Sequence, residues 1–179
     1  MNKYKTSGIF LSIAGLLTIL LGIYLILFRN YNYHTNMAVL SLGFIIIGFF
    51  YIFSHVTNRK LHFRPGWTLS HGFYLLILGI LCLYTFDKEL SDSMNLLFAM
   101  WALSSASSQI ASSIKIRSLE YKKWWRILIF GFINLFSFIY FIINPLNIII
   151  SIYVSYGAYI ILSGVICFSE IFNYKSTVD

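Results

Sequence analysis

Charged side chains fall in islands, and between them the chain is almost continuously apolar. Lys5 to Arg29 encloses 23 uncharged residues, Arg29 to Arg59 29, Arg64 to Asp87 22, Asp92 to Lys115 22, and Arg126 to Glu170 43. A helix rises about 1.5 Å per residue, so about 20 residues cross a hydrocarbon layer of about 30 Å. Four of the runs fit one crossing each. The longest is too long for one and contains Asn144-Pro145-Leu146-Asn147. Pro145 cannot continue a helix but suits the first turn of a new one, with Asn144 as its N-cap. The pattern predicts six transmembrane helices at about 8–28, 37–55, 67–86, 94–114, 126–143 and 146–168. No segment alternates with period two, which excludes a β-barrel. The first run is longer than a leader's apolar core and lacks a small-x-small cleavage site, so it is expected to stay as a span.

Small residues repeat within these runs. Gly15, Gly72 and Gly131 recur at intervals of 57 and 59 residues near the start of each odd-numbered helix. Gly22 and Gly79 follow the first two by seven positions, where the third helix has Phe138. In the even-numbered helices Ser41/Gly48, Ala99/Ala106 and Gly157/Gly164 are pairs seven apart, displaced by 58 residues each time. Seven residues are nearly two helical turns, so each pair lies on one face. Small residues let helix backbones approach closely in lipid. The expected architecture is therefore all-α, a single integral membrane domain over 1–179. It consists of three tandem parallel helical hairpins of about 58 residues, at about 8–56, 66–114 and 125–172. The candidate packing positions are Gly15, Gly22, Gly48, Gly72, Gly79, Ala99, Ala106, Gly131, Gly157 and Gly164. Two helices per unit give every unit the same orientation, hence an axis along the membrane normal rather than an inverted repeat.

Composition narrows the picture further. Of 179 residues, 59% are apolar and 11% charged, against about 25% charged in soluble domains. Too few polar groups are available to coat a soluble surface. The net charge of +7 is not a nucleic-acid footprint, because it partitions by topology. Eleven of the thirteen Lys and Arg lie at the termini and the loops near 56–66 and 115–125, leaving Arg29 and Lys88 for the other side. The positive-inside rule then puts both termini in the cytoplasm of a bacterial cell, with the chain in the plasma (inner) membrane. Trp67, Trp124 and Trp125 inside, and Tyr31, Tyr33 and Tyr84 outside, supply the interfacial aromatic belts.

Chemistry is sparse. No ionisable group falls at mid-membrane in the predicted spans, and Glu170 is placed at the inner headgroup level as an ion-pair partner for loop cations. His34, His55, His62 and His71 show no metal-ligand spacing and are expected to be solvated at the interfaces. Cys82 and Cys167 are expected to be reduced, buried small hydrophobes. No phosphate loop, nucleophile elbow or dinucleotide fingerprint occurs. The polar exception is the fourth helix, with Ser104, Ser105, Ser107, Ser108, Gln109, Ser112 and Ser113. Facing Asn134 and Ser137 of the fifth helix, it offers a polar groove whose candidates are Ser105, Gln109, Asn134 and Ser137. Such groups either tie the helices together or receive a small molecule or lipid headgroup.

The Gly-x6-Gly odd helices, Lys123-Trp124-Trp125-Arg126, Asn144-Pro145, Gly157-Ala158-Tyr159 and Ser163-Gly164 together resemble the HdeD-like acid-resistance membrane proteins, a short-repeat family of unknown function. The resemblance spans about Gly8 to Phe172. Family hairpins usually carry a Pro in each outer turn, and here only Pro145 does; Phe138 stands where a small residue is usual. The resemblance implies a non-enzymatic inner-membrane protein linked to acid or envelope stress. It implies no catalytic residues, no cofactor and no metal. The expected partners are the lipid bilayer, other membrane or envelope proteins and a second copy of the chain, with no nucleic acid. A small transporter or channel built on the groove between helices 4 and 5 is the alternative.

Overall fold

The computed structural model describes residues 3–30, 33–57, 67–84, 91–118, 124–143 and 152–175. These form six α-helices: α1 (Lys3–Leu27), α2 (Tyr33–Thr57), α3 (Trp67–Tyr84), α4 (Ser91–Ser118), α5 (Trp124–Ile143) and α6 (Ile152–Lys175). The Asn144-Pro145 turn, the 58–66 loop and the side chain of Glu170 lie outside the described residues. Helices suit these segments because every backbone N–H and C=O is satisfied within the segment itself. Three stretches are long and apolar enough to cross a membrane: Gly8–Leu27, His34–Thr57 and Trp124–Ile143. Thr68–Tyr84 and Tyr153–Ser169 are shorter apolar helical stretches. α4 differs through its serines, several of which turn their hydroxyls back on their own helix. Ser108 donates to the Ser104 carbonyl at 2.6 Å and Ser113 to that of Ile110 at 2.7 Å.

The broadest helix interfaces are α1 with α6, α4 with α5, and α2 with α3. α1 also packs along α2, whereas α3 meets α4 less extensively and α5 barely meets α6. Each broad interface therefore joins an even-numbered helix to an odd-numbered one outside its own expected hairpin, and α6 closes the ring on α1. The small residues explain this choice of neighbours. A Cβ on Gly22 would stand 2.6 Å from the carbonyl oxygen of Gly157, and one on Gly164 2.9 Å from that of Gly15. On α2 and α3 the same relation links Gly48 with Gly72 at 2.9 Å and Gly79 with Ser41 at 2.9 Å. Ser41 exploits the contact by donating its hydroxyl to the Gly79 carbonyl at 2.7 Å. On α4 and α5, a Cβ at Gly131 would lie 2.8 Å from Ile110 Cγ1 and 3.4 Å from the Ala106 carbonyl. The fourth small position of that interface, Ala99, is buried, and Phe138 on α5 packs against the core.

Polarity is inverted relative to a soluble bundle. Large apolar side chains point outward on every helix, among them Leu20, Phe53, Ile80, Leu96, Phe136 and Val165, with Phe136 70% exposed. Thr18, Asn36, Ser41, His71, Asn95, Gln109 and Asn134 are buried instead. At the centre sits an aromatic cluster. Phe98 stacks on Tyr156 with ring centroids 4.1 Å apart, and Trp101 meets Tyr159 edge-on at 5.0 Å. Cys82 and Cys167 are buried and form no disulfide.

Backbone contact at the glycines predicts a graded mutational response. Gly22→Ala should lower stability by about 1–3 kcal/mol, the usual cost of overpacking. Gly79→Leu and Gly164→Leu should prevent a stable fold altogether. A Cβ on Gly8 meets nothing within 4 Å, so Gly8→Ala should be neutral or slightly stabilising, since Ala is the better helix former. Expression level and thermal midpoint in mild detergent measure all four, and equal behaviour of Gly8 and Gly22 variants would refute the packing account.

Candidate functional site

The polar residues of four helices meet at one place. On α4, Trp101, Ser105, Gln109 and Ser113 succeed one another at intervals of four and are all buried, as one face of a helix requires. On α3 the buried stripe is His71, Leu75, Leu78 and Cys82. α5 contributes Asn134 from the stripe that includes Ile127 and Gly131. α6 contributes Tyr159, Ser163 and Cys167, again at intervals of four. Some of these residues, with Tyr51 of α2 and Ile166 of α6, enclose a cavity of about 10 Å³ lined by Tyr51, His71, Ser105, Gln109, Asn134, Ser163, Ile166 and Cys167. None of the wall residues is a carboxylate, a lysine or an arginine.

Hydrogen bonds run through the site in a fixed direction. The Tyr159 hydroxyl donates to Asn134 Oδ1 at 3.0 Å. Asn134 Nδ2 donates to Gln109 Oε1 at 2.9 Å and to the Phe130 carbonyl at 3.1 Å. These bonds fix the orientation of both amides. His71 is held more loosely. Trp101 Nε1 lies 3.3 Å from its Nε2 and 3.4 Å from its Nδ1, Ser105 Oγ lies 3.3 Å from Nδ1, and Ser163 Oγ lies 3.4 Å from Nε2. Tyr51 packs against the imidazole with centroids 5.0 Å apart.

Of the groove residues expected from the sequence, Ser105, Gln109 and Asn134 come together here. Ser137 does not join them: it is half-buried and donates to the Ile133 carbonyl of its own helix at 3.0 Å. Two histidines depart from interfacial solvation. His71 is buried within the cluster, and His55 is buried with its Nδ1 2.9 Å from Thr68 Oγ1. His34 is exposed, and His62 lies outside the described residues. The residues that the sequence reading missed are His71, Trp101, Tyr159 and Ser163. The signal for His71 was its spacing of 4, 7 and 11 positions from Leu75, Leu78 and Cys82 on one apolar stripe. A second polar contact lies apart from the cavity, where the Tyr156 hydroxyl donates to Asn95 Oδ1 at 2.7 Å.

The site presents neutral hydrogen-bonding groups in buried surroundings. His71 and Cys167 are the soft ligand types on its walls, and among the described residues no group of three His, Cys, Asp or Glu is placed to hold a metal ion. Where the end of α4 meets the start of α5, Arg117 lies over the Trp124 ring at 4.9 Å and Arg126 over Trp125 at 5.6 Å. Both are cation–π contacts.

The Gln109–Asn134 bond should couple α4 to α5. A double-mutant cycle with Gln109→Leu and Asn134→Leu, read by unfolding in detergent, should give a coupling of about 0.6 kcal/mol, with about 1.7 kcal/mol as the ceiling for such bonds. Additive single-variant effects would show that the bond contributes nothing. In comparisons with known proteins, no curated protein and no solved structure matches the chain. Residues 13–84, running from within α1 to the end of α3, match a family model described as a short repeat of unknown function (DUF308), so that this part of the chain carries a domain of that short-repeat family.

Proposed function

We propose that the chain is a six-span integral membrane protein of the bacterial plasma membrane, with both termini cytoplasmic. The inversion of polarity carries this reading. Apolar side chains cover the outside of all six helices, while amides, hydroxyls and an imidazole are turned inward and bonded to one another. A bilayer is the solvent in which that arrangement is stable. The shorter α3 and α6 stretches and the serine-rich α4 span alongside the three longer helices, as partners in the same interfaces. The three even–odd contacts support a threefold repetition of hairpins around an axis along the membrane normal.

Within that membrane the protein acts without catalysis, as a stress-resistance protein resembling the HdeD type, through contacts with lipid or with other membrane and envelope proteins, its own copies included. The inward polar groups engage one another and leave the outward apolar faces as the surface available to partners. A second reading, a small transporter, draws on the cavity between α3, α4, α5 and α6. It requires the Gln109–Asn134 bond to open, since that bond fills the groove between α4 and α5.

Cysteine labelling tests the topology. The native thiols Cys82 and Cys167 are buried, so they leave a low background for a membrane-impermeant maleimide. Lys88→Cys should label in intact spheroplasts, and Lys60→Cys and Lys122→Cys only after the membrane is opened; the reverse pattern removes the orientation. For the role, a deletion strain should lose survival at low pH, and the tagged protein should retain specific lipids or proteins through purification in mild detergent. Unchanged survival with no retained partner overturns it. Solute uptake abolished by Gln109→Ala and Asn134→Ala in a folded protein would favour the transporter.

A further inference from the structure

The glycine contacts divide the bundle into two parts. Gly15, Gly22, Gly157 and Gly164 close α1 on α6, Gly48, Gly72 and Gly79 close α2 on α3, and Gly43 seats against Leu21 of α1. These contacts tie α6, α1, α2 and α3 into one part of four helices. Gly131 ties α5 to α4, and that pair is the other part. Among the described residues, no glycine of either part meets a helix of the other. Across the boundary the contacts are aromatic. Phe98 of α4 stacks on Tyr156 at 4.1 Å, Trp101 lies 5.3 Å from His71 and 5.8 Å from Phe44, and Phe141 of α5 meets Tyr159 edge-on at 5.4 Å. Three hydrogen bonds cross with them: Tyr156 to Asn95, Tyr159 to Asn134, and the exposed Tyr140–Ser155 pair at 2.9 Å. The cavity straddles the same boundary, with Ser105, Gln109 and Asn134 on one side and residues such as His71 and Ser163 on the other.

The two kinds of contact respond differently to displacement. Where a helix backbone lies against its neighbour with no room for one carbon, sliding or turning either helix drives atoms together. A layer of rings is more tolerant, because aromatic pairs are comfortable over a range of tilts and offsets. Packed helices accordingly shear past one another across side-chain layers. We infer that α4 and α5 move together as a lever against the other four helices, pivoting on the α3–α4 contact and opening along the seam between α5 and α6. The pivot is placed at α3–α4 because those helices pack more extensively, whereas α5 barely meets α6. The Tyr140–Ser155 bond is the latch at the outer edge of the seam, and the Tyr159–Asn134 bond is the latch behind it. Gln109 and Asn134 travel together, so their mutual bond survives the opening. The opened seam uncovers Asn134 and Tyr159 and separates the two walls of the cavity.

Distances between pairs of spin labels test the motion in the full chain in lipid nanodiscs. Labels carried on p-acetylphenylalanine leave Cys82 and Cys167 native, and Leu16, Met100, Ile129, Ile139 and Val165 all point outward. The Ile129/Val165 pair spans the seam, whereas Leu16/Val165 lies within the four-helix part and Met100/Ile139 within the α4–α5 pair. Pulsed dipolar spectroscopy should resolve a longer-distance minority for Ile129/Val165 and one distribution for each of the other pairs. Tyr140→Phe should raise the open-to-closed ratio about threefold, the factor carried by one interhelical bond in a membrane, and adding Tyr159→Phe should raise it by about as much again. Ser155→Ala should match Tyr140→Phe, and the two together should do no more than either alone. A single Ile129/Val165 distribution that neither Tyr140→Phe nor the Tyr140→Phe/Tyr159→Phe double variant moves overturns the inference. Equal broadening of all three pairs overturns it too, by showing a general loosening instead of a lever. The inference rests on the membrane-spanning arrangement, whose failure would appear in the maleimide labelling and not in these distances.

Discussion

Backbone-to-backbone contact at small residues is the constraint on which the rest of this bundle depends. In an apolar solvent, helices gain little by hiding apolar surface from their surroundings, because the solvent is equally apolar. Close van der Waals approach must hold them, and bulky side chains prevent it. At Gly22–Gly157, Gly15–Gly164, Gly48–Gly72 and Gly79–Ser41 the separation leaves no room for one further carbon. These crossings fix which helices are neighbours, and the aromatic cluster and the polar junction occupy the interior that the crossings enclose. Where the pattern weakens, at Ala99 and Phe138, the α4–α5 pair is the one bridged by side-chain amides.

The interior follows from a second demand of the same solvent. A polar group facing hydrocarbon has no water to bond, so it turns inward and needs a partner there. Serine meets the demand alone by bonding to its own helix, as Ser108, Ser113 and Ser137 do. Asparagine and glutamine cannot meet it so cheaply, since each carries two donors and an acceptor of two lone pairs. They join across helices, and the amide chain from Tyr159 through Asn134 to Gln109 is the result.

These two demands also mark how far the sequence could be read. The helices were legible because charge interrupts them, and the packing faces were legible because Gly, Ala and Ser recur seven apart. Their partners were not: periodicity names the face of a helix, never the helix it meets, so the pairing of α2 with α3 and of α6 with α1 had to come from the structure. Gln109 and Asn134 stood out as amides within apolar runs. A histidine without metal-ligand spacing is expected to be solvated at an interface, whereas His71 lies on the buried stripe with Cys82. Ser137 shared the composition of the groove but could satisfy itself locally, and composition does not distinguish the two outcomes.

Closure of the ring by α6 on α1 joins the two ends of the chain's helical order through one of its broadest interfaces. Helices made in sequence from α1 onward leave the first one without this neighbour until the last is in place. Throughout that interval the Gly15–Gly22 face is an unfilled socket, shaped for a helix carrying Gly157 and Gly164. The same face would accept the α6 of a second chain, so the covalent tether between α1 and its own α6 is what favours closure within one chain.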